Sequence, residues 1–287
     1  MDKDQMHVDQ IKELLKNHKK EAILLRPLDE DLVEEKEAIE RCKKKKGCSK
    51  FEGCPDVPID FKWPCTIDHF GEFVPLNFIA QIDLKDASRY DKTGLLPKEG
   101  YLYFFMASTV YSMDISEKDG IKVYYYNVRE EDLYTIEPPE DSEMSFWADL
   151  NHSIYVKFES HDSYPEDLEG KELEKVLAGY PVDKQTYFGG DYISHFLKAR
   201  IELGDGWVIH EMLGYPQLLQ FQDEDRWEQI YCQLYGPQVG ERKGEDEWLL
   251  LLQYAHSPNK EHYYFYIRKS DLRAGRFNRV WATTQWD

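Results

Sequence analysis

The rhythm of apolar positions along this chain changes once, near residue 50. Before that point Val8, Ile11, Leu14 and Leu15 recur at the spacing of one helix face among Lys, Glu and Asp, which predicts an amphipathic helix. A second helix is predicted after Asp29, which can cap it. Glu30 and Asp31 favour its first turn, Lys43 to Lys46 suit its negative end, and Gly47 closes it. Its apolar stripe runs through Leu28, Leu32, Ile39 and Cys42. From Phe51 onward the texture is that of strands and turns. Runs rich in Ile, Val, Phe and Tyr at 78–84, 100–107, 121–128, 153–159, 247–255, 262–268 and 278–285 predict strands, bounded by Gly and Pro. Helices are predicted at 166–178 and 223–234, and EPPEDSE at 137–143 reads as a loop.

Within the strand-rich part an order of features occurs twice. Gly53-Cys54-Pro55 is followed by FIAQIDL, which carries Gln81, and then by GYLYFF; Gly214-Tyr215-Pro216 is followed by WLLLLQYA, which carries Gln253, and then by HYYFYI. A Gly-x-Pro turn, an apolar strand ending in Gln and an aromatic strand therefore recur, which predicts an internal duplication. The blocks SKFEGCPDVPIDFKWP (49–64), PLNFIAQIDL (75–84), LPKEGYLYFF (96–105), MLGYPQLLQ (212–220), DEWLLLLQ (246–253) and YYFYIRKSDL (263–272) resemble the signature blocks of the YwqG-like family, the domain of unknown function 1963. The resemblance spans residues 49–285. It implies a duplicated α+β fold and relatives spread through bacteria, and it brings no established activity. One departure is visible. The family usually has Gly-Gly before the x-Pro, whereas Glu52 precedes Gly53 here, which implies a differently shaped first turn.

The expected fold is α+β: β-rich, mostly antiparallel sheets in an internally duplicated core with pseudo-two-fold symmetry, plus N-terminal helices. Residues 1–50 are the helical segment, packed outside the core, and 51–287 the duplicated domain, with halves at about 51–160 and 161–287. A chain of 287 residues is long enough for a large core.

Charge narrows the function classes. The net charge is −19, while residues 1–50 hold thirteen Lys and Arg against twelve Asp and Glu, so the remainder carries −20. Such a surface repels phosphate backbones, which argues against nucleic acid, and suits either solubility or a basic protein partner. No apolar run reaches membrane-spanning length, and the charged start does not read as a secretory leader. An odd count of five Cys fits a reducing, cytoplasmic setting.

Motifs for common chemistry are missing from the sequence. There is no GxSxG, no GxxxxGK[ST], and GDGWVIH at 204–210 has His210 where a dinucleotide fingerprint needs its third Gly. Cys42, Cys48, Cys54 and Cys65 lie close in sequence, but no pair has the two-to-four-residue gap of a zinc knuckle, so packing is preferred over a metal site. No catalytic residue, metal or cofactor is expected. Gln81 and Gln253 stand out, because a buried amide without partners costs a few kcal/mol. Either each ties together the turn of its own half, which is the favoured role, or both face a ligand-binding cleft between the halves lined by Trp63, Tyr103 and Tyr264. The leading expectation is a noncatalytic binding or interaction module with an acidic surface, in one form an immunity-type protein that neutralises a basic partner. The alternatives are a hydrolase-like enzyme with a cleft between the halves and a nucleic-acid mimic. Oligomeric state is left open.

Overall fold

The computed structural model describes residues 3–67, 70–107, 115–139, 152–168, 170–180, 191–206, 210–219, 231–235, 247–257 and 261–286. In chain order the strands are β1 (Lys20–Pro27), β2 (Lys50–Phe51), β3 (Asp56–Pro58), β4 (Cys65–Ile67), β5 (Phe73–Pro75), β6 (Asn77–Asp83), β7 (Tyr101–Met106) and β8 (Ile121–Tyr126). They continue with β9 (Leu133–Thr135), β10 (Ile154–Ser163), β11 (Glu211–Met212), β12 (Trp248–Ser257), β13 (Glu261–Arg268) and β14 (Trp281–Trp286). The main helices are α1 (Lys3–Leu15), α2 (Val33–Lys44), α3 (Leu84–Ala87), α4 (Gly170–Leu177) and α5 (Asp191–Glu202); Lys269–Arg273 adds a short one.

Ten strands form one antiparallel sheet in the order β14-β13-β12-β11-β1-β10-β2-β6-β7-β8. Its central pair, β1 and β10, is in register from Lys20 opposite Ser163 to Pro27 opposite Val156. The sheet is covered on both faces, so β6, β7 and β13 are buried almost end to end and read in sequence as apolar runs without alternation. It also curls until its arms meet. Phe104 of β7 and Phe265 of β13 touch edge to face at 5.0 Å, and Tyr125 of β8 lies 5.4 Å from Phe277. One hydrophobic core therefore runs through both arms.

The first fifty residues differ from the helical reading. Lys20–Pro27 is β1, bonded on both sides at the middle of the sheet, so this part of the N-terminal segment is not peripheral. The apolar group of KEAILLRP is too short to sustain a helix, and Pro27 cannot continue one. The second helix begins at Val33, not after Asp29. Helix α1 does match its periodicity: Val8, Ile11 and Leu15 are buried with Tyr192 and Phe196 of α5 in a satellite cluster apart from the main core. Helix α5 has no counterpart in the sequence reading. The 166–178 helix is shortened to α4, and of the 223–234 helix only 231–234 falls within the described residues, where the chain is helical through 235. Among the described residues no helix is long and apolar enough to cross a membrane.

Candidate functional site

Gln81 sits on β6 opposite Tyr103 of β7 and Lys50 of β2. Its Oε1 accepts from Asp56 N at 2.7 Å and its Nε2 donates to the Cys48 carbonyl at 2.9 Å. Tyr103 donates its hydroxyl proton to the Asp56 carbonyl at 2.6 Å, and Lys50 Nζ lies 3.2 Å from Asp56 Oδ2. Asp56 also accepts from Thr135 Oγ1 at 2.6 Å and Gly47 N at 3.1 Å. Burial opposes the charged carboxyl, but Lys50 and these hydrogen bonds prevail and hold it below its ordinary value. Gln81, Tyr103, Lys50 and Asp56 are buried and satisfied, with Thr135 at the exposed edge. The amide thus pins the turn after Gly53 to the sheet.

The second half repeats these contacts with other residues around the same Gln and Tyr. Gln253 lies opposite Tyr264 and Glu211; its Oε1 accepts from Gln217 N at 2.8 Å, and the Tyr264 hydroxyl donates to the Gln217 carbonyl at 2.6 Å. Both ladders carry a register shift just before the Gln, at Phe78/Ala80 and Leu250/Leu252. Both turns begin with a non-glycine residue of positive φ, Glu52 at 56° and Leu213 at 65°. The difference lies in charge. Where the first half has the Lys50–Asp56 pair, the second has Glu211, fully buried against Ser163 and Gly214. Burial first, then nearby Asp205, raises the proton affinity of Glu211 well above normal.

Side chains alternate along a strand, and Phe104 and Phe265, which meet at the junction, each follow the tyrosine by one position. Gln81, Tyr103, Gln253 and Tyr264 therefore face away from that junction, each pair beneath the turn of its own half. Trp63 joins the first set: it packs on Phe105 at 5.4 Å and donates Nε1–H to the Leu76 carbonyl at 2.9 Å. The five residues expected around one cleft thus form two assemblies.

What does cross between the halves is Glu52, which sequence reasoning noted only as a departure in a turn. Its carboxylate accepts from the Tyr254 hydroxyl and from His256 Nδ1, bonds that span more than two hundred residues of chain. Tyr254 stacks on Phe51 at 4.3 Å and on His210 at 5.3 Å. The bond to Glu52, stronger than the opposing burial, raises the His256 pKa. His210, deeply buried, is pushed down to about 4 and stays neutral. This cluster links the halves, and the strained φ is held in place by the two bonds it permits.

Among the described residues, several strongly exposed apolar side chains lie on or beside the β4–β5 hairpin; Val33 of α2 and Ile201 of α5 are others elsewhere. Ile67 and Phe73 are directly opposite and 58% and 78% exposed, Phe70 in the connection is 79% exposed, and Ile59 just before the hairpin is 78% exposed. The base is anchored by the Trp63 bond to Leu76 and by Leu76 N to the Pro64 carbonyl at 2.9 Å. In sequence the apolar tip is flanked by Asp60, Asp68 and Glu72, with Lys62 the basic exception. Among the described residues no three His, Cys, Asp or Glu converge as metal ligands. Cys42 and Cys48 border an open pocket, Cys54 is half-buried and Cys65 is exposed on the hairpin.

A family model described as domain of unknown function (DUF1963) matches residues 49–286. No curated protein matches the chain.

Proposed function

The chain belongs to the DUF1963 family, whose domain is of unknown function, and from that premise we propose that it is a noncatalytic interaction protein that engages a basic protein partner through the 65–75 hairpin and its acidic surroundings. The observation that carries this reading is the hairpin itself: three large apolar side chains exposed on one anchored element, with Asp60, Asp68 and Glu72 close by in sequence. Exposed apolar clusters with polar rims are typical of docking surfaces, and aromatic anchors contribute most of the affinity at such sites. The charge of −20 on residues 51–287 supplies long-range attraction for a basic partner and disfavours nucleic acid. An immunity-type role, neutralising a basic effector, is the concrete form we favour. The hydrolase alternative gains less, because Phe104 and Phe265 pack against each other where its cleft was expected.

We further propose that the two halves descend from one unit, related by a pseudo-two-fold axis between β10 and β1. Support comes from the sheet order, which reads β10-β2-β6-β7-β8 in one direction and β1-β11-β12-β13-β14 in the other. The matched pins of Gln81 and Gln253 support it too. A cytoplasmic location is supported by the odd count of five cysteines in the sequence.

The binding reading is tested with immobilised wild-type protein and a Phe70→Ser, Phe73→Ser double variant, exposed side by side to cell lysate at stepped salt. We expect a basic protein held by wild type, released as salt rises and lost with the variant, whose melting temperature should be unchanged. The same proteins held by both, or none at any salt, would count against it.

A further inference from the structure

Helix α2 ends at Lys44, and the chain reverses through Gly47 so that Cys48 lines the same pocket as Cys42 of the last turn. The reversal is fixed. Gly47 has φ 78°, a Cβ there would come within 2.6 Å of the Tyr101 ring, and its N–H donates to Asp56 Oδ2 at 3.1 Å. The next residue is pinned as well, since the Cys48 carbonyl accepts from Gln81. The Gln81 assembly therefore positions a thiol pair.

Both thiols line an open pocket of about 710 Å³ between α2, β10 and the segment after α3. On a strongly acidic molecule this pocket is rich in cations: Arg41, Lys44, Lys45, Arg89 and Lys157 border it. Arg89 pairs with Asp86 at 3.2 Å and Lys45 with Glu130 at 3.6 Å, the two acids of the lining, while Arg41 and Lys44 form no ion pair among the described residues. The two sulfurs are unequal. The Cys48 hydrogen bond, with help from Lys45 and Arg41 and against burial, lowers the Cys42 pKa, while that of Cys48 is raised. A partly exposed thiol in a basic setting with a second thiol in the same pocket is the arrangement of an attacking and a resolving cysteine.

We propose that Cys42 and Cys48 form a dithiol that exchanges with a small anionic disulfide bound in this cationic pocket. The Cys42 thiolate attacks one sulfur of the ligand, forming a mixed disulfide and expelling a thiolate, which takes up a proton. Cys48 gives up its proton, and its thiolate attacks Cys42 Sγ. That step closes the Cys42–Cys48 disulfide and expels the second thiolate, which is also protonated. Two electrons pass to the ligand, one disulfide becomes two thiols, and two protein thiols become one disulfide.

The test uses the reduced full-length chain with glutathione disulfide as the anionic probe and cystamine as the cationic one. Thiols are trapped by alkylation at timed intervals and assigned by peptide mass spectrometry. Exposed Cys65 serves as an internal reference in the same molecule. In wild type we expect a Cys42–Cys48 crosslink, with glutathione disulfide favoured over cystamine there by roughly tenfold more than at Cys65. Cys48→Ser should stop at a mixed disulfide on Cys42. Arg41→Gln with Lys44→Gln should erase the charge preference while leaving the melting temperature unchanged. Modification of Cys65 ahead of Cys42, absence of the crosslink, or equal preference for the two probes at Cys42 and Cys65 would each overturn the proposal; the wild-type readout requires no variant to fold.

Discussion

Glu52 shows how much one residue can hold. An L-residue with positive φ costs roughly 1–2 kcal/mol, and the compensation is a carboxylate that receives both Tyr254 and His256 from the other half. Two substitutions separate these effects. Glu52→Ala keeps the strain and loses the bonds, whereas Glu52→Gly loses the bonds and relieves the strain. Urea unfolding should place Glu52→Ala about 2–3 kcal/mol below wild type, and Glu52→Gly about 1 kcal/mol above Glu52→Ala after the extra freedom of Gly in the unfolded chain is counted. A Glu52→Gly variant about 0.5–1 kcal/mol less stable than Glu52→Ala, the cost of glycine's freedom alone, would mean that the turn carries no strain. The buried amides were legible at this scale: a Gln at the end of an apolar run must find partners, and both did within their own turns. Glu52 was not, since a positive φ and a bond to His256 arise only once distant strands meet. The shared pocket of Cys42 and Cys48 was hidden for the same reason, because nothing in a six-residue separation says that Gly47 reverses the chain.

Among elements, strands buried on both faces announced themselves as long aromatic and aliphatic runs, and β6, β7, β12 and β13 lie within a few residues of where those runs are. Strand β1 was concealed because its few apolar residues sit between two helical patterns and fit either period. Helix α5 did carry a signal, with Tyr192, Phe196 and Ala199 at helical spacing, although the strand-like residues before it masked it. These two N-terminal elements differ in consequence. Helix α1 buries Val8, Ile11 and Leu15 in a satellite cluster, each worth about 1.5–3 kcal/mol before the entropy regained is subtracted. Strand β1 holds the centre of the sheet. Deleting residues 1–15 should lower the melting temperature by roughly 5–15 °C with the β circular-dichroism signal retained. Deleting residues 1–27 should abolish cooperative unfolding. A chain that still melts cooperatively without β1 would show that the two arms fold independently of their central strand.

At the scale of the molecule, two arms of a curled sheet share one core, and the Gln81–Tyr103 and Gln253–Tyr264 pairs look away from where Phe104 meets Phe265. The outward features are then what is left for function: an anchored hairpin with an apolar tip on an acidic body, and a cationic pocket holding two thiols on α2 and the turn after it. Charge balance was visible in the linear chain, whereas the exposure of Ile67, Phe70 and Phe73 was not, because an apolar residue in a strand pattern is ordinarily counted as core. The central claim is that this hairpin is the docking element. It is tested most directly by hydrogen exchange of the full-length protein, alone and with the basic partner that it retains. The account expects slowed exchange concentrated in residues 59–75, fading as salt is raised and absent in the Phe70→Ser, Phe73→Ser variant. Protection that falls elsewhere and leaves 59–75 unchanged would contradict it.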